Sequence, residues 1–305
     1  MQSISKLVLA IAAALLVSCG NTDPQSQGSS PEIDAPLTVQ NDGVLIDFQD
    51  HGEGDLTLLF VHGWCINQTY WSHQVEALSS DYRIVTMDLP GFGASGTHRE
   101  NWSMEAYGAD VNAVIDQLNL TDVILIGHSM GGDVILESAL HQDKVIALIG
   151  VDNFKDVGVE YSDEMKAELD GFVGLLKQNF SEVAPAYAEG ALFHPSTDSL
   201  IKAHVMNDFR QSDSVIATSS LEALFEYASK EAQQLAQLKQ PLYLINSDAS
   251  PTLTDGLDAT GVAYEVIDIP ATGHYPMIEK PEVFNRLLLQ TIQTIEAAHH
   301  TESTR

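Results

Sequence analysis

Short apolar runs alternate with longer amphipathic segments along most of the chain. The apolar runs predict strands near 44–49, 57–61, 83–88, 123–127, 145–152, 241–247 and 262–269. Apolar residues recur with helical spacing between most of these strands, at 68–79, 103–119, 130–143 and 281–298. Because strands that alternate with helices are typical of α/β proteins, the pattern predicts a doubly wound, mostly parallel sheet.

The alternation is interrupted once, between the predicted strand that ends at Asp152 and the strand that begins at Pro241. Ordinary connections between strands and helices are only a few residues long, and this segment is far longer. Ser162 and the two acidic residues after it predict the start of a helix. We therefore expect an inserted helical cap over about residues 154–240, with further helices at 198–210 and 214–235.

The first 36 residues follow a different pattern. Lys6 precedes eleven apolar residues, a run typical of a secretory signal and shorter than the roughly 20 residues of a membrane span. Leu16-Val17-Ser18-Cys19 resembles a bacterial lipobox, in which the cysteine becomes the first mature residue and carries lipid. We expect removal of residues 1–18 and lipidation of Cys19, with an ordinary signal peptide cut nearby as the alternative.

The segment after the cysteine is polar, rich in Ser, Pro, Gln, Gly and Asp, and predicts that residues 19–36 form the lipidated cysteine and a flexible tether. The folded domain is then expected over 37–299, with a tail at 300–305. We expect an exported protein held by lipid at the cell envelope. Gly20 after the cysteine favours the outer membrane, facing the periplasm.

Acidic residues strongly outnumber basic ones, 43 against 14, which gives a formal net charge of −29. Such a surface repels nucleic acid and anionic membranes, so no nucleic-acid partner is expected and membrane contact would come through lipid on Cys19. Cys65 is the only other cysteine, so the mature domain has no pair for an intrachain disulfide. We expect Cys65 to be a small buried hydrophobe.

Ser129 lies within Gly127-His128-Ser129-Met130-Gly131, between an apolar strand and a predicted helix. Glycines on both sides suit a sharp, strained turn that exposes the hydroxyl. The first N–H groups of the following helix would point at an oxygen placed beside Ser129. His274 follows the last predicted strand, and Asp248 follows the strand that begins at Pro241. The three residues together suit nucleophilic catalysis.

These residues resemble the nucleophile elbow and catalytic triad of the α/β-hydrolase superfamily, in its bacterial esterase, haloperoxidase and C–C-bond hydrolase branch. The resemblance covers roughly residues 37–299. It implies an α/β-hydrolase fold with the cap between strands 6 and 7 in the numbering of that fold. It further implies Ser129 as nucleophile, His274 as base, and the N–H groups of Trp64 and Met130 as oxyanion hole. The other matching segments are Phe60-Val61-His62-Gly63-Trp64, Asp88-Leu89-Pro90-Gly91-Phe92-Gly93-Ala94-Ser95 and Gly273-His274-Tyr275-Pro276-Met277.

The third member of the triad has two candidates. The family pattern puts the acid about nine residues after the proline that starts strand 7, and that position is Ser250 here. Asp248 comes two residues earlier, and a tightened turn over 247–251 would bring it to His274. We expect Asp248 to be the acid, with Asp152 at the end of the preceding strand as the alternative.

A serine at position 129 argues against the aspartate-nucleophile reactions of haloalkane dehalogenases and epoxide hydrolases. The resemblance therefore implies a serine hydrolase that cleaves ester-like bonds of a small-molecule acyl substrate through an acyl-enzyme, most simply a carboxylesterase. This chemistry needs no metal and no cofactor. The alternatives are a C–C-bond (β-diketone) hydrolase or thioesterase of the same fold, and a non-catalytic, lipid-tethered binding protein. The complete Ser-His-Asp set argues against the binding protein.

Overall fold

A computed structural model of the chain describes residues 37–303. Eight strands form one sheet with the order β1-β2-β4-β3-β5-β6-β7-β8. β1 and β2 pair antiparallel, as do β2 and β4, and the other neighbours are parallel. The predicted mostly parallel sheet is thus confirmed. The strands are β1 Leu37–Asn41, β2 Val44–His51, β3 Leu56–Val61, β4 Arg83–Met87, β5 Asp122–His128, β6 Val145–Val151, β7 Leu242–Ser247 and β8 Tyr264–Ile269.

Ten helices accompany the sheet within residues 37–303, and the first follows a short 3₁₀ turn at Gln68–Trp71. The last helix continues to Ser303, so the segment from residue 300 that was predicted as a tail is helical as far as the structure describes it. The helices are α1 Ser72–Leu78, α2 Met104–Gln117, α3 Met130–Leu140, α4 Asp163–Ala191, α5 Ser199–Gln211, α6 Ser214–Tyr227, α7 Glu231–Leu235, α8 Thr254–Thr260, α9 Pro276–Glu279 and α10 Pro281–Ser303.

The central strands are buried on both faces. In β5, every residue from Val123 to Ile126 is fully buried, as are Leu58 to Val61 in β3. Continuous apolar strands of this kind belong to parallel sheets that are covered on both sides. Each fully buried aliphatic side chain stabilises the fold by about 1.5–3 kcal/mol, so these strands form a rigid platform for the loops at their ends.

The predicted cap is present as α4 to α7, between β6 and β7. Ser162 caps α4 as the sequence predicts, because its side chain accepts a hydrogen bond from the Met165 N–H. α4 leaves helical geometry at Asn179, where φ is −151° and ψ is 68°. Beyond this kink, Phe180 contacts the ring of Trp64 at 6.1 Å between centroids, which brings the cap over the loop that follows β3.

Within residues 37–303, no helix has the length and apolar character needed to cross a membrane. The predicted signal peptide, the lipidated Cys19 and the tether lie outside the described residues.

Candidate active site

Ser129 occupies the sharp turn between β5 and α3. Its φ of 52° and ψ of −124° form a strained conformation that costs on the order of 1–3 kcal/mol in a non-glycine residue. The glycines on either side of the turn are required because a side chain at either position would collide with the backbone. A Cβ on Gly127 would overlap the carbonyl of Gly131, and a Cβ on Gly131 would lie 2.7 Å from the carbonyl oxygens of Val61 and His62. The turn therefore packs α3 directly against the end of β3.

The turn is anchored to the end of β6. The Ser129 N–H donates to the carbonyl of Val151 at 3.0 Å, and the Asn153 side chain donates to the Ser129 carbonyl. Sequence reasoning gave Asn153 no role. The available signal was its position directly after Asp152, at the end of a buried strand. These bonds hold the strained backbone of Ser129 in place.

His274 is paired with Asp152. Its Nδ1 lies 2.6 Å from Oδ2 of Asp152. Asp248, which the sequence analysis preferred, is exposed, and its Oδ1 accepts the N–H of Ala271 at 2.8 Å. The preference for Asp248 as the partner of His274 was therefore wrong, and the alternative acid is the one in contact.

The sheet explains this outcome. β6 and β7 are parallel neighbours with Val151 opposite Ile245, so Asp152 emerges at the carboxyl edge beside Ser247. The Asp152 N–H donates to the Ile245 carbonyl at 3.1 Å, and a φ of 49° turns the residue out of the strand direction. Asp248 is used instead to support the turn that leads from β8 towards His274.

The carboxylate of Asp152 is saturated with hydrogen bonds. Oδ1 accepts from the Ser247 N–H at 2.9 Å and the Ser247 hydroxyl at 2.8 Å, and lies 2.6 Å from Nζ of Lys155. Burial by itself raises the pKa of Asp152, but the hydrogen bond and charge of His274, with Lys155, outweigh it and hold the pKa well below its usual range. Asp152 is therefore an anion.

Because the Asp152 anion only accepts hydrogen bonds, the proton of a neutral His274 resides on Nδ1. Nε2 is then free to accept a proton. Ser129 and His274 line the same cavity of about 390 Å³, which lies between the sheet and the cap. The cavity thus contains a serine on a strained turn and a histidine in the tautomer of a general base. The cap contributes Tyr187, Ala191, Leu192, Phe193 and Leu224 to its lining.

The two expected oxyanion-hole residues lie beside Ser129. Met130 is the first residue of α3 and lines the cavity. A Cβ built on Gly63 would lie 3.1 Å from Cβ of Ser129, so the backbone entering Trp64 runs past the serine. The indole of Trp64 points to the cap, where its Nε1 donates to the carbonyl of Ala217 at 2.7 Å.

Two further histidines near the turn are engaged elsewhere. His62 is fully buried, with Nδ1 2.8 Å from the Gly63 carbonyl and Nε2 accepting from the Leu89 N–H at 2.9 Å. Nε2 of His128 donates to the carbonyl of His274 at 2.7 Å, which helps to hold that residue. Burial, with the nearby His274, lowers the pKa of His128 to about 3. Neither ring is available as a base for Ser129.

Cys65 is a free thiol that is almost completely buried. Burial raises its pKa well above the usual value, so it is held as the unreactive thiol. In the part of the chain that the structure describes, no three His, Cys, Asp or Glu side chains are placed to hold a metal ion together.

This fold and this site define a hydrolase of the α/β class. A family model described as the alpha/beta hydrolase fold matches residues 57–281, and the chain belongs to that family. The chain is 35% identical over 98 residues to a non-heme chloroperoxidase CPO-A1 of Kitasatospora aureofaciens, a match that covers 32% of this chain and 35% of the chloroperoxidase. The chain thus spans about a third of that relative's length.

Other relatives match over most of their length. A 2-hydroxy-6-oxononadienedioate/2-hydroxy-6-oxononatrienedioate hydrolase of Escherichia coli is 26% identical over 281 residues, which are 87% of this chain and 96% of that enzyme. The solved structure of the esterase EaEST from Exiguobacterium antarcticum superposes with a TM-score of 0.75 at 22% identity, covering 85% of this chain and all of the esterase. The structural likeness shows the fold.

Proposed function

We propose that this protein is a serine hydrolase, a carboxylesterase that cleaves ester-like acyl bonds of small molecules through an acyl-enzyme. The observation that carries the proposal is the 2.6 Å contact between His274 and Asp152, in a cavity that also exposes Ser129. A histidine oriented by a buried carboxylate is the base that activates a serine hydroxyl.

In the proposed reaction, Nε2 of His274 takes the proton of the Ser129 hydroxyl while the oxygen attacks the ester carbonyl. The N–H groups of Trp64 and Met130 receive the resulting oxyanion, and each such donor contributes roughly 10²–10³ in rate. His274 then protonates the departing alcohol, which leaves the acyl group on Ser129. Water repeats the sequence and releases the acid, so the enzyme is regenerated without a metal or a cofactor.

The cavity favours a small or medium acyl group. Its volume of about 390 Å³ is at the lower end of the roughly 300–1,000 Å³ of small-molecule sites. Phe154 and the cap residues Leu192, Phe193 and Leu224 supply apolar surface for the acyl chain. We expect p-nitrophenyl esters of short to medium chain length to be cleaved faster than long ones.

A fluorophosphonate probe tests the proposal directly, because Ser129 displaces fluoride only if His274 accepts its proton. The expected result is one covalent phosphonate on the native protein, located at Ser129 by peptide mass spectrometry, and loss of esterase activity with the same time course. Heat-unfolded protein serves as the control. Native protein that remains unlabelled would overturn the proposal and favour the non-catalytic binding protein instead.

The second candidate is a C–C-bond (β-diketone) hydrolase or a thioesterase with the same catalytic residues. The match to the Escherichia coli hydrolase over 87% of the chain favours it. These activities are distinguished by measuring kcat/KM for an ester, a thioester and a β-diketone that carry the same acyl group. The carboxylesterase proposal expects the ester to have the highest kcat/KM, and a higher value for the diketone would select the C–C-bond hydrolase.

We further propose export and lipid anchoring through Cys19, with the catalytic domain held at the outer membrane on the periplasmic side. The lipobox-like Leu16-Val17-Ser18-Cys19 and the polar residues that follow it support this location. The acidic surface would repel anionic lipid, so the attached lipid supplies the membrane affinity.

A further inference from the structure

Lys155 lies three residues beyond Asp152, and its side chain is largely buried at 13% exposure. Its Nζ is 2.6 Å from Oδ1 of Asp152. It also donates to the carbonyl oxygens of Ser247 at 2.9 Å and Ser250 at 3.2 Å, with the two serine hydroxyls slightly farther away. Lys155 therefore contacts the oxygen of Asp152 that does not face His274, although no sequence motif predicts this contact.

The contacts decide what Lys155 can do. An ammonium group has three N–H donors and no acceptor. Asp152 and the carbonyls of Ser247 and Ser250 use all three donors, so none is left to bind a substrate. Although Lys155 lines the cavity, its N–H donors are directed at Asp152 and at the loop after β7.

The two carboxylate oxygens of Asp152 have opposite partners. Oδ2 faces His274, and Oδ1 faces Lys155 and Ser247. Fixing Oδ1 prevents rotation of the carboxylate and keeps Oδ2 on Nδ1 of the imidazole. Ser250 occupies the position at which the family pattern predicts the acid, in the loop after β7. Lys155 donates to the Ser250 carbonyl and contacts Asp152, so it connects that loop to the acid at the end of β6.

We propose that Lys155 is a positioning residue that orients Asp152 and whose charge offsets part of the attraction between that carboxylate and the His274 imidazole. This inference rests on the proposed serine-hydrolase function. The Asp152 anion favours the protonated imidazole, and a cation bonded to the same carboxylate offsets part of that attraction. Since only neutral His274 can accept the serine proton, removing the charge of Lys155 is expected to change the pH dependence of Ser129 reactivity.

Several other ionisable groups lie around His274 and are present in every variant. His128 contacts the His274 ring at 4.7 Å between centroids, and with a pKa of about 3 it is neutral over the working range. The Glu279 carboxylate accepts the N–H groups of Gly273 and Tyr275. Burial raises the pKa of Tyr275 well above its usual value, so it stays uncharged. The cavity is also lined by the carboxyl groups of Asp133, Asp156 and Glu231.

The test compares Lys155→Met and Lys155→Gln, which remove the charge, with Lys155→Arg, which keeps it. Lys144→Met is the matched control, because Lys144 pairs with Asp116 at 2.9 Å in an exposed ion pair at the other end of β6. The rate of fluorophosphonate labelling is measured against pH for each protein, and folding is confirmed by circular dichroism. The pKa of the ¹³C-labelled His274 imidazole is measured by NMR, with assignment through His274→Gln.

We expect the acidic limb of the labelling profile to move to higher pH in Lys155→Met and Lys155→Gln, because Asp152 then attracts the protonated imidazole with no opposing charge. Lys155→Arg and Lys144→Met should keep the wild-type limb. A purely structural role would lower the rate at all pH values without moving the limb, and that result would overturn the inference. If the wild type is not labelled at all, the proposed function fails, whereas the NMR titration still decides the effect of Lys155.

Discussion

At the scale of single residues, the site depends on strain that neighbouring atoms hold in place. Ser129 has a φ of 52°, and hydrogen bonds from its own N–H to β6 and from Asn153 to its carbonyl fix this backbone. The strain is located at the turn and not in the serine side chain. Removing the hydroxyl should therefore affect the chemistry without affecting the fold.

Ser129→Ala should abolish ester hydrolysis and probe labelling while the far-ultraviolet circular dichroism stays unchanged. Ser181→Ala, at an exposed serine of α4, is the matched control and should retain full activity. Activity is measured with p-nitrophenyl acetate at enzyme concentrations high enough to detect a thousandth of the wild-type rate. Folded Ser129→Ala with more than about a hundredth of wild-type turnover would reject Ser129 as the essential nucleophile.

Asp152→Asn should lower turnover by a large factor, up to the roughly 10⁴ seen for the equivalent change in serine proteases. The amide can donate to Nδ1 of His274, which would place the imidazole proton on Nε2, where it blocks transfer from Ser129. Asp248→Asn should stay within a few-fold of wild type, because Asp248 supports only the Ala271 N–H. A hundredfold loss in Asp248→Asn with an active Asp152→Asn would reverse this assignment.

At the scale of elements, close packing of α3 against the strand ends sets the position of the serine. The turn brings Gly131 against the carbonyls of Val61 and His62, at the end of β3. The first turn of α3 therefore lies close to the loop that leads to Trp64. This places the two residues expected to supply the oxyanion hole, Trp64 and Met130, beside Ser129. A side chain at this junction would separate the two elements.

Gly131→Ala should lower the free energy of unfolding by several kcal/mol and reduce activity, because the new Cβ meets two backbone oxygens that side-chain motion cannot clear. Gly171→Ala in α4 is the control, since no atom lies within 4 Å of its would-be Cβ. That change should stabilise the protein by about 0.5–1 kcal/mol through helix propensity. Urea unfolding measures the free energy of unfolding of both variants. If Gly131→Ala leaves that free energy unchanged, the turn can accommodate a Cβ at this position and the predicted clash is wrong.

At the scale of the whole molecule, charge and anchoring act in opposite directions. The net charge of −29 keeps the protein away from anionic surfaces, whereas the proposed lipid on Cys19 would hold it at a membrane. Under the proposed anchoring, the location would depend on the covalent attachment and not on the surface of the folded domain.

Wild-type protein expressed in an enteric bacterium should partition into the detergent phase of Triton X-114, and Cys19→Ser should partition into the aqueous phase. Lipid attached at Cys19 would supply the apolar surface that holds the wild type in the detergent phase. Cys65→Ser is the matched control, because this buried thiol should not affect partitioning. Wild type found in the aqueous phase would contradict the anchor.

Local patterns in the sequence predicted most elements of the fold. The central strands are continuous buried runs, and the longer helices carry apolar stripes, so these elements could be identified without knowledge of their neighbours. The short helices Thr254–Thr260 and Pro276–Glu279 were not predicted. β1 was missed because it has only five residues, lies at the sheet edge and has no buried residue, so it lacks the apolar run that marks the central strands. The turn at Ser129 was predictable for the same local reason, since its glycines are adjacent in the chain.

The sequence by itself therefore determined the class of fold, the cap, the strained turn and the presence of a histidine after the last strand. Only the tertiary structure decided which carboxylate contacts that histidine and which lysine contacts the carboxylate. Both Asp152 and Asp248 follow strands that end at the same edge of the sheet, so spacing along the chain cannot separate them. The pairing of β6 with β7 and the course of the turn after β8 separate them, because they direct Asp152 to His274 and Asp248 to a backbone N–H.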